Sequence, residues 1–119
     1  MEKNVEVCLL LDFYGQLLTK RQQEVVELYF NNDLSLAEIA DEFGITRQGV
    51  HDNIKRAEKT LYDLENRLGI LERFRKHKRR LNEALIHIKN IEEIKNGSCE
   101  ETVGEIKIIK EILKSIVDD

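Results

Sequence analysis

Apolar residues recur along the chain at spacings of three and four, separated by polar stretches that contain glycine, asparagine and serine, a periodicity that predicts helices from end to end. A first helix is expected over about Lys3 to Tyr14, with Val5, Cys8, Leu9 and Phe13 among its apolar positions and Gly15 ending it. Because Leu9, Leu10 and Leu11 are consecutive, this helix is apolar on more than one side, and other helices should cover it. Thr19 precedes Gln22 by three residues, the spacing of a capping box, and opens a second helix with Val25, Val26, Leu28, Tyr29 and Phe30 on and around its inner face. Asn31, Asn32 and Asp33 break it.

The segment Ser35 to Ala57, SLAEIADEFGITRQGVHDNIKRA, has the parts of a helix-turn-helix in order. Ser35 and Glu38 form a capping box, and Leu36, Ile39 and Ala40 make a buried stripe with Glu38, Asp41 and Glu42 left to water. Gly44 can take the positive φ that a tight turn between helices requires. Ile45 is apolar enough to plug the turn, Thr46 can cap the next helix, and Val50, Ile54 and Ala57 return at helical spacing. A plain helical hairpin would share some of these features, but their combination and order favour the helix-turn-helix.

From Val50 the stripe continues through Leu61, Leu64, Leu68 and Leu71 at heptad spacing, past the point where a three-helix domain would end. Gly69 interrupts it as a C-cap or a kink. Leu61 to Leu71 have no partner within the domain except the amino-terminal helix or a second subunit, and a homodimer held by Leu61, Leu64, Leu68 and Leu71 together with the carboxy-terminal helices is expected. Leu81, Leu85, Ile88 and Ile91 define a further helix ended by Asn96 and Gly97. Ser98 and Glu101 give a third capping box, before a last helix with Ile106, Ile109, Leu113 and Ile116 as its stripe. The expected architecture is all-α: a helix-turn-helix domain over residues 1–68 with an extended recognition helix, and a carboxy-terminal helical hairpin over 69–119 that packs in a dimer.

Charge alters the functional picture more than composition does. The 119 residues carry a net charge of −4, which does not suggest a nucleic-acid binder. The cations nevertheless gather in one place: Arg73, Arg75, Lys76, Lys78, Arg79 and Arg80 fall within eight positions, at the start of a helix. Such a run is most often a solvated face, here one paired with a neighbouring acidic face. Phe74 and His77 within it would also suit stacking on unpaired bases. Absence of proline, with 35% charged and 6% aromatic residues, fits a soluble helical protein.

Catalysis finds no support. There is no Gly-rich phosphate loop, no HExxH, and no nucleophile with a base at a useful spacing. His51, His77 and His87 share no helix face with a carboxylate cluster or cysteine pair. Cys8 and Cys99 are too far apart for a redox or zinc motif and are expected as buried or half-buried thiols. Glu92 and Glu93 read as a solvated face. No cofactor, metal or small-molecule substrate is expected. Glu2 and Glu6 interrupt the amino-terminal apolar run, no stretch has membrane-spanning length, and the expected location is the cytoplasm.

The run LLTKRQQEVVELYF (Leu17 to Phe30) ahead of the helix-turn-helix resembles the promoter-reading fourth region of bacterial sigma factors. DFYGQLLTKRQ (Asp12 to Gln22), SLAEIA (Ser35 to Ala40) and TRQGVHDNIKRAE (Thr46 to Glu58) more closely resemble the YlxM-like family, small bacterial proteins encoded beside components of the signal recognition particle. The resemblance covers roughly the first seventy residues. It implies a sigma-like fold, no catalytic activity, and a regulatory role in the signal recognition pathway.

With Val50, Ile54 and Ala57 inward, Gln48, Asp52, Lys55 and Lys59 face outward, flanked by Arg47, His51 and Arg56. Arg47 and Gln48 are side chains able to read guanine or adenine in the major groove. The sites expected to touch nucleic acid are thus Arg47, Gln48, His51 and Lys55 on the recognition helix, and Arg75, Lys76 and Arg79 in the basic run. Sigma factors often place arginine where this chain has Gly49 and His51, and Asp52 sits poorly beside phosphates, so the face is thinly charged for duplex DNA. DNA and the RNA or protein of the signal recognition particle are the candidate partners. Two functions follow: a regulator in the signal recognition pathway, or a sequence-specific transcription regulator.

Overall fold

The computed structural model describes residues 3–93 and 99–118 and is helical throughout, with no strand among the described residues. Its α-helices are α1 (Lys3–Tyr14), α2 (Lys20–Val26), α3 (Leu36–Phe43), α4 (Arg47–Leu68), α5 (Ile70–Glu93) and α6 (Cys99–Val117). The chain divides into two compact units, Met1–Leu71 and Glu72–Asp119. The division falls slightly later than the expected boundary after Leu68, because Ile70 and Leu71 are tied to the first unit by hydrogen bonds from their backbone N–H groups.

In the first unit α4 packs against α1, α2 and α3. Val7, Leu10, Tyr14, Val25, Val26, Ile39, Val50, Ala57 and Leu61 are closed to solvent, each large apolar side chain contributing roughly 1.5–3 kcal/mol. On α1 the buried positions are Val7, Leu10, Leu11 and Tyr14. Val5 and Phe13 are exposed while Cys8 and Leu9 only flank the core. Tyr14 is anchored there by its hydroxyl, which donates to the half-buried Glu65 of α4.

Both expected capping boxes in this unit form. Thr19 Oγ1 accepts from the Gln22 N–H at 3.2 Å, Ser35 Oγ accepts from the Glu38 N–H at 3.1 Å, and each partner side chain accepts from the cap N–H in return. After α2 the helix widens into a π turn over Glu27–Asn31, closed by an Asn32 N–H to Glu27 C=O bond of 3.2 Å. The extra residue rotates the helix face, so Phe30 is buried along with Val25 and Val26, with Leu28 and Tyr29 packed beside them. Arg21 lies over the Phe43 ring at 4.6 Å, a cation–π contact that links α2 to α3.

In the second unit Ala84 on α5 and Ile112 on α6 are buried, Arg80 donates to Ser115 Oγ, and His87 Nδ1 meets Glu105 Oε2. The buried residues correct the expected stripes. Leu81, Leu85, Ile88, Ile106 and Leu113 are exposed, and Ile91, Ile109 and Ile116 are half-buried. Among the described residues of this unit only Ala84 and Ile112 are buried, and the larger side chains of both stripes stay exposed or half-buried. Cys99, expected to be at least half-buried, is exposed at the start of α6, whereas Cys8 is half-buried with its thiol 3.7 Å from the Phe30 carbonyl. The expected helix end at Asn96 and Gly97 and the Ser98 half of the third capping box lie outside the described residues.

Candidate nucleic-acid interface

The turn between α3 and α4 is built as a reading module needs it. Gly44 takes φ +64°, a left-handed conformation that strains any residue with a Cβ, and the Ile45 N–H donates to the Ala40 C=O at 3.1 Å to close the end of α3. Thr46 then accepts the Gly49 N–H at 3.0 Å, which fixes where α4 begins. Glu38 in the capping box is held below the usual carboxylate pKa by the Ser35 backbone N–H and then by the Ser35 hydroxyl. With Val50 and Ile54 buried, the first turns of α4 hold Arg47, Gln48, His51 and Lys55 in the exposed positions the sequence assigned them.

That face is largely occupied by its own acids. The Gln48 amide donates to Asp52 at 3.0 Å, His51 Nδ1 lies 3.8 Å from the same carboxylate, and Lys55 Nζ lies 3.9 Å from Glu58. Of the four expected contacts, only Arg47 has no acidic partner among the described residues. Exposed pairs of this kind contribute about 0–1 kcal/mol, so a phosphate can displace them, but each must be displaced. Glu58 and its second partner, Lys3, were not singled out in the sequence. The Lys55 to Glu58 spacing of three was a readable signal; the approach of Lys3 from α1 was not.

The basic run is less bare than its sequence implies. Arg80 pairs with Glu83 at 3.0 Å, and none of Arg75, Lys76 and His77 is without a partner. Arg73, Lys78 and Arg79 are exposed, and Arg75 is half-buried.

The expected dimer stripe divides. Leu61 and Leu71 lie inside the core of the first unit, with 0% and 2% exposure, because α1 and the α4–α5 junction supply the partners the sequence left open. This corrects their assignment as dimer contacts. Leu64 packs at the edge of that core and Leu68 is 48% exposed, so these two are what the stripe offers to a partner. Among the described residues no group of His, Cys, Asp and Glu is arranged to hold a metal ion, and no helix is long and apolar enough to cross a membrane.

The profile of the UPF0122 family, described as "Putative helix-turn-helix protein, YlxM / p13 like", matches residues 1–114. The chain belongs to the UPF0122 family. A UPF0122 protein of Acetivibrio thermocellus is 48% identical over 118 residues, covering 99% of each chain. One from Desulforamulus reducens is 41% identical over 119 residues with the same coverage. One from a Thermoanaerobacter species is 43% identical over 108 residues, 91% of this chain and 88% of its own. The family description suggests nucleic-acid binding and names no catalytic activity. UPF0122 membership also extends the resemblance well past the first seventy residues, into α6.

Proposed function

We propose that this protein is a non-enzymatic cytoplasmic regulator that binds nucleic acid through the exposed start of α4 and acts in the signal recognition particle pathway. The observation that carries the binding is the Thr46-capped start of α4, with Arg47, Gln48, His51 and Lys55 exposed beside a rigid Gly44 turn. A helix start so placed offers backbone N–H groups and a favourable dipole to phosphate, and polar side chains to base edges. The pathway rests on the resemblance of Asp12 to Gln22 and Thr46 to Glu58 to YlxM-like proteins.

Fluorescence anisotropy with duplex DNA and with signal recognition particle RNA tests this. Asp52→Ala, which releases Gln48 and His51 and removes an anion from the face, is expected to raise affinity about fivefold at low salt. Unchanged or weaker binding would mean that nucleic acid does not approach this face. In the basic run, charge reversal at Arg75, Lys76 and Arg79 is expected to flatten the salt dependence of RNA binding by about two to three units of log–log slope. An unchanged slope would leave those residues as surface.

A sequence-specific transcription regulator is the second reading, favoured by Arg47 and Gln48 in the first turn of α4, where side chains reach guanine and adenine edges. Selection from random duplexes separates the two. Enrichment of a defined site supports the transcription regulator, with half-sites one or more helical turns apart if the protein is a dimer. No enrichment removes it.

A further inference from the structure

We propose that Lys3, His51 and Lys55 form a subsite for a nucleic-acid backbone phosphate, assembled by the buried carboxylate of Glu58. This deepens the proposed function and rests on it. Glu58 is 9% exposed, the one charged residue among the buried positions of the described chain. A carboxylate there needs cationic partners to offset its lost hydration. It has two: Lys3 Nζ from α1 at 3.2 Å and Lys55 Nζ from α4 at 3.9 Å. One anion thus gathers two cations, and the sum is positive.

Both lysine side chains stay more than half exposed, at 58% and 55%. An ammonium has three N–H donors, so each lysine keeps donors free to point outward. They open on a cleft of about 180 Å³ that His51, Asn4 and Tyr29 also line, so every polar side chain around it except Glu58 can donate a hydrogen bond. Its remaining wall is apolar, from Phe30, Leu36 and Ile54. A ring of donors with a net positive charge over an apolar wall suits an oxyanion joined to a sugar.

The position along α4 agrees. Lys55 lies eight residues after Arg47, about 12 Å along the helix axis, comparable with the roughly 12 Å width of the major groove. With Arg47 at the base edges, Lys55 and the Lys3 it meets through Glu58 fall at the groove wall, where phosphates are. Lys3, outside the helix-turn-helix, thereby joins the footprint.

The test is the salt dependence of binding to a random-sequence duplex, followed by anisotropy for wild type, Lys3→Gln, Lys3→Arg and Arg47→Gln, with thermal melts showing that each is folded. Lys3→Gln is expected to weaken binding about three- to tenfold and to lower the log–log slope by about one unit. Lys3→Arg should keep the wild-type slope, because the charge is retained. If Lys3→Gln leaves the slope unchanged while Arg47→Gln lowers it, the subsite is wrong and the reading face stands. If the wild type binds no duplex at low salt, or neither variant changes the slope, the nucleic-acid reading of α4 fails and the subsite fails with it.

Discussion

Glu65→Ala is expected to lower the unfolding free energy of the first unit by about 3 kcal/mol. Tyr14, 1% exposed, donates its hydroxyl to Glu65 Oε1 at 2.6 Å, and the Leu71 N–H donates to the same oxygen at 2.9 Å. The Ile70 N–H donates in turn to the Tyr14 hydroxyl at 3.1 Å. One carboxylate therefore joins the end of α1 to the first two N–H groups of α5, across the left-handed Gly69 that ends α4. Truncating it breaks the bonds from Tyr14 and Leu71, stranding a buried phenol and uncapping α5, while Tyr14→Phe breaks the bonds to Glu65 and from Ile70 but leaves both of those groups open to water and should cost less, about 1–2 kcal/mol. Urea unfolding checks both values, and a loss below about 1 kcal/mol for Glu65→Ala would mean that water replaces the carboxylate readily.

The same network gives an alkaline signature. Burial first, and then the bond to Glu65, raise the Tyr14 pKa above its ordinary value of 10.0. The native state therefore keeps a proton that the unfolded chain has already lost. Stability conferred by the neutral phenol is complete below about pH 10 and falls by up to about 1.4 kcal/mol per pH unit above it, until the native phenol also ionises. Cys8 is raised too, by burial and then by Asp12 and Asp33, and contributes a similar loss beginning near its own ordinary value of 9.0. The difference between wild type and Tyr14→Phe isolates the tyrosine, and equal alkaline slopes would show that Tyr14 titrates as it does in the unfolded chain.

What the sequence revealed, and what it hid, follows from the range of the interactions. Capping boxes at Thr19 and Ser35, the Gly44 turn and the Thr46 cap each depend on residues within four positions of one another, and all appear as read. The inner face of α1 was not legible because Leu9, Leu10 and Leu11 make the helix apolar on more than one side, and the Tyr14 to Glu65 bond that anchors it spans 51 residues. The π turn was missed because one extra residue in a helix leaves no compositional mark among Leu28, Tyr29 and Phe30. In the second unit the stripe of leucines and isoleucines was a poor guide, since the buried positions are Ala84 and Ile112 while Leu81, Leu85 and Leu113 stay exposed. At the start of α4, exposure was legible from the position of Val50 and Ile54, and Asp52 and the Lys55 to Glu58 spacing were legible too, but the approach of Lys3 from α1 to Glu58 needed the fold.

Leu61 and Leu68, one heptad apart on the same stripe, are expected to respond in opposite ways. Leu61 has no solvent exposure, so Leu61→Ala leaves a cavity in the core of the first unit and should cost about 2–5 kcal/mol, one of the largest losses for a single substitution in this chain. Leu68 is 48% exposed at the end of α4, and Leu68→Asp should change unfolding free energy by no more than about 0.5 kcal/mol. Its effect should fall on assembly. Leu68 at the end of α4, with Leu64 at the edge of the core, is apolar surface of the kind that soluble monomers keep small, and we propose that a second copy of the chain covers it. Sedimentation equilibrium should then find a dimer at tens of micromolar, on the order of an ordinary weak-dimer constant, and a monomer for Leu68→Asp. A wild type that stays monomeric at that concentration removes the dimer. A Leu61→Ala protein that keeps wild-type stability but loses its dimer would overturn the division of the stripe itself, placing Leu61 at an interface and not in the core.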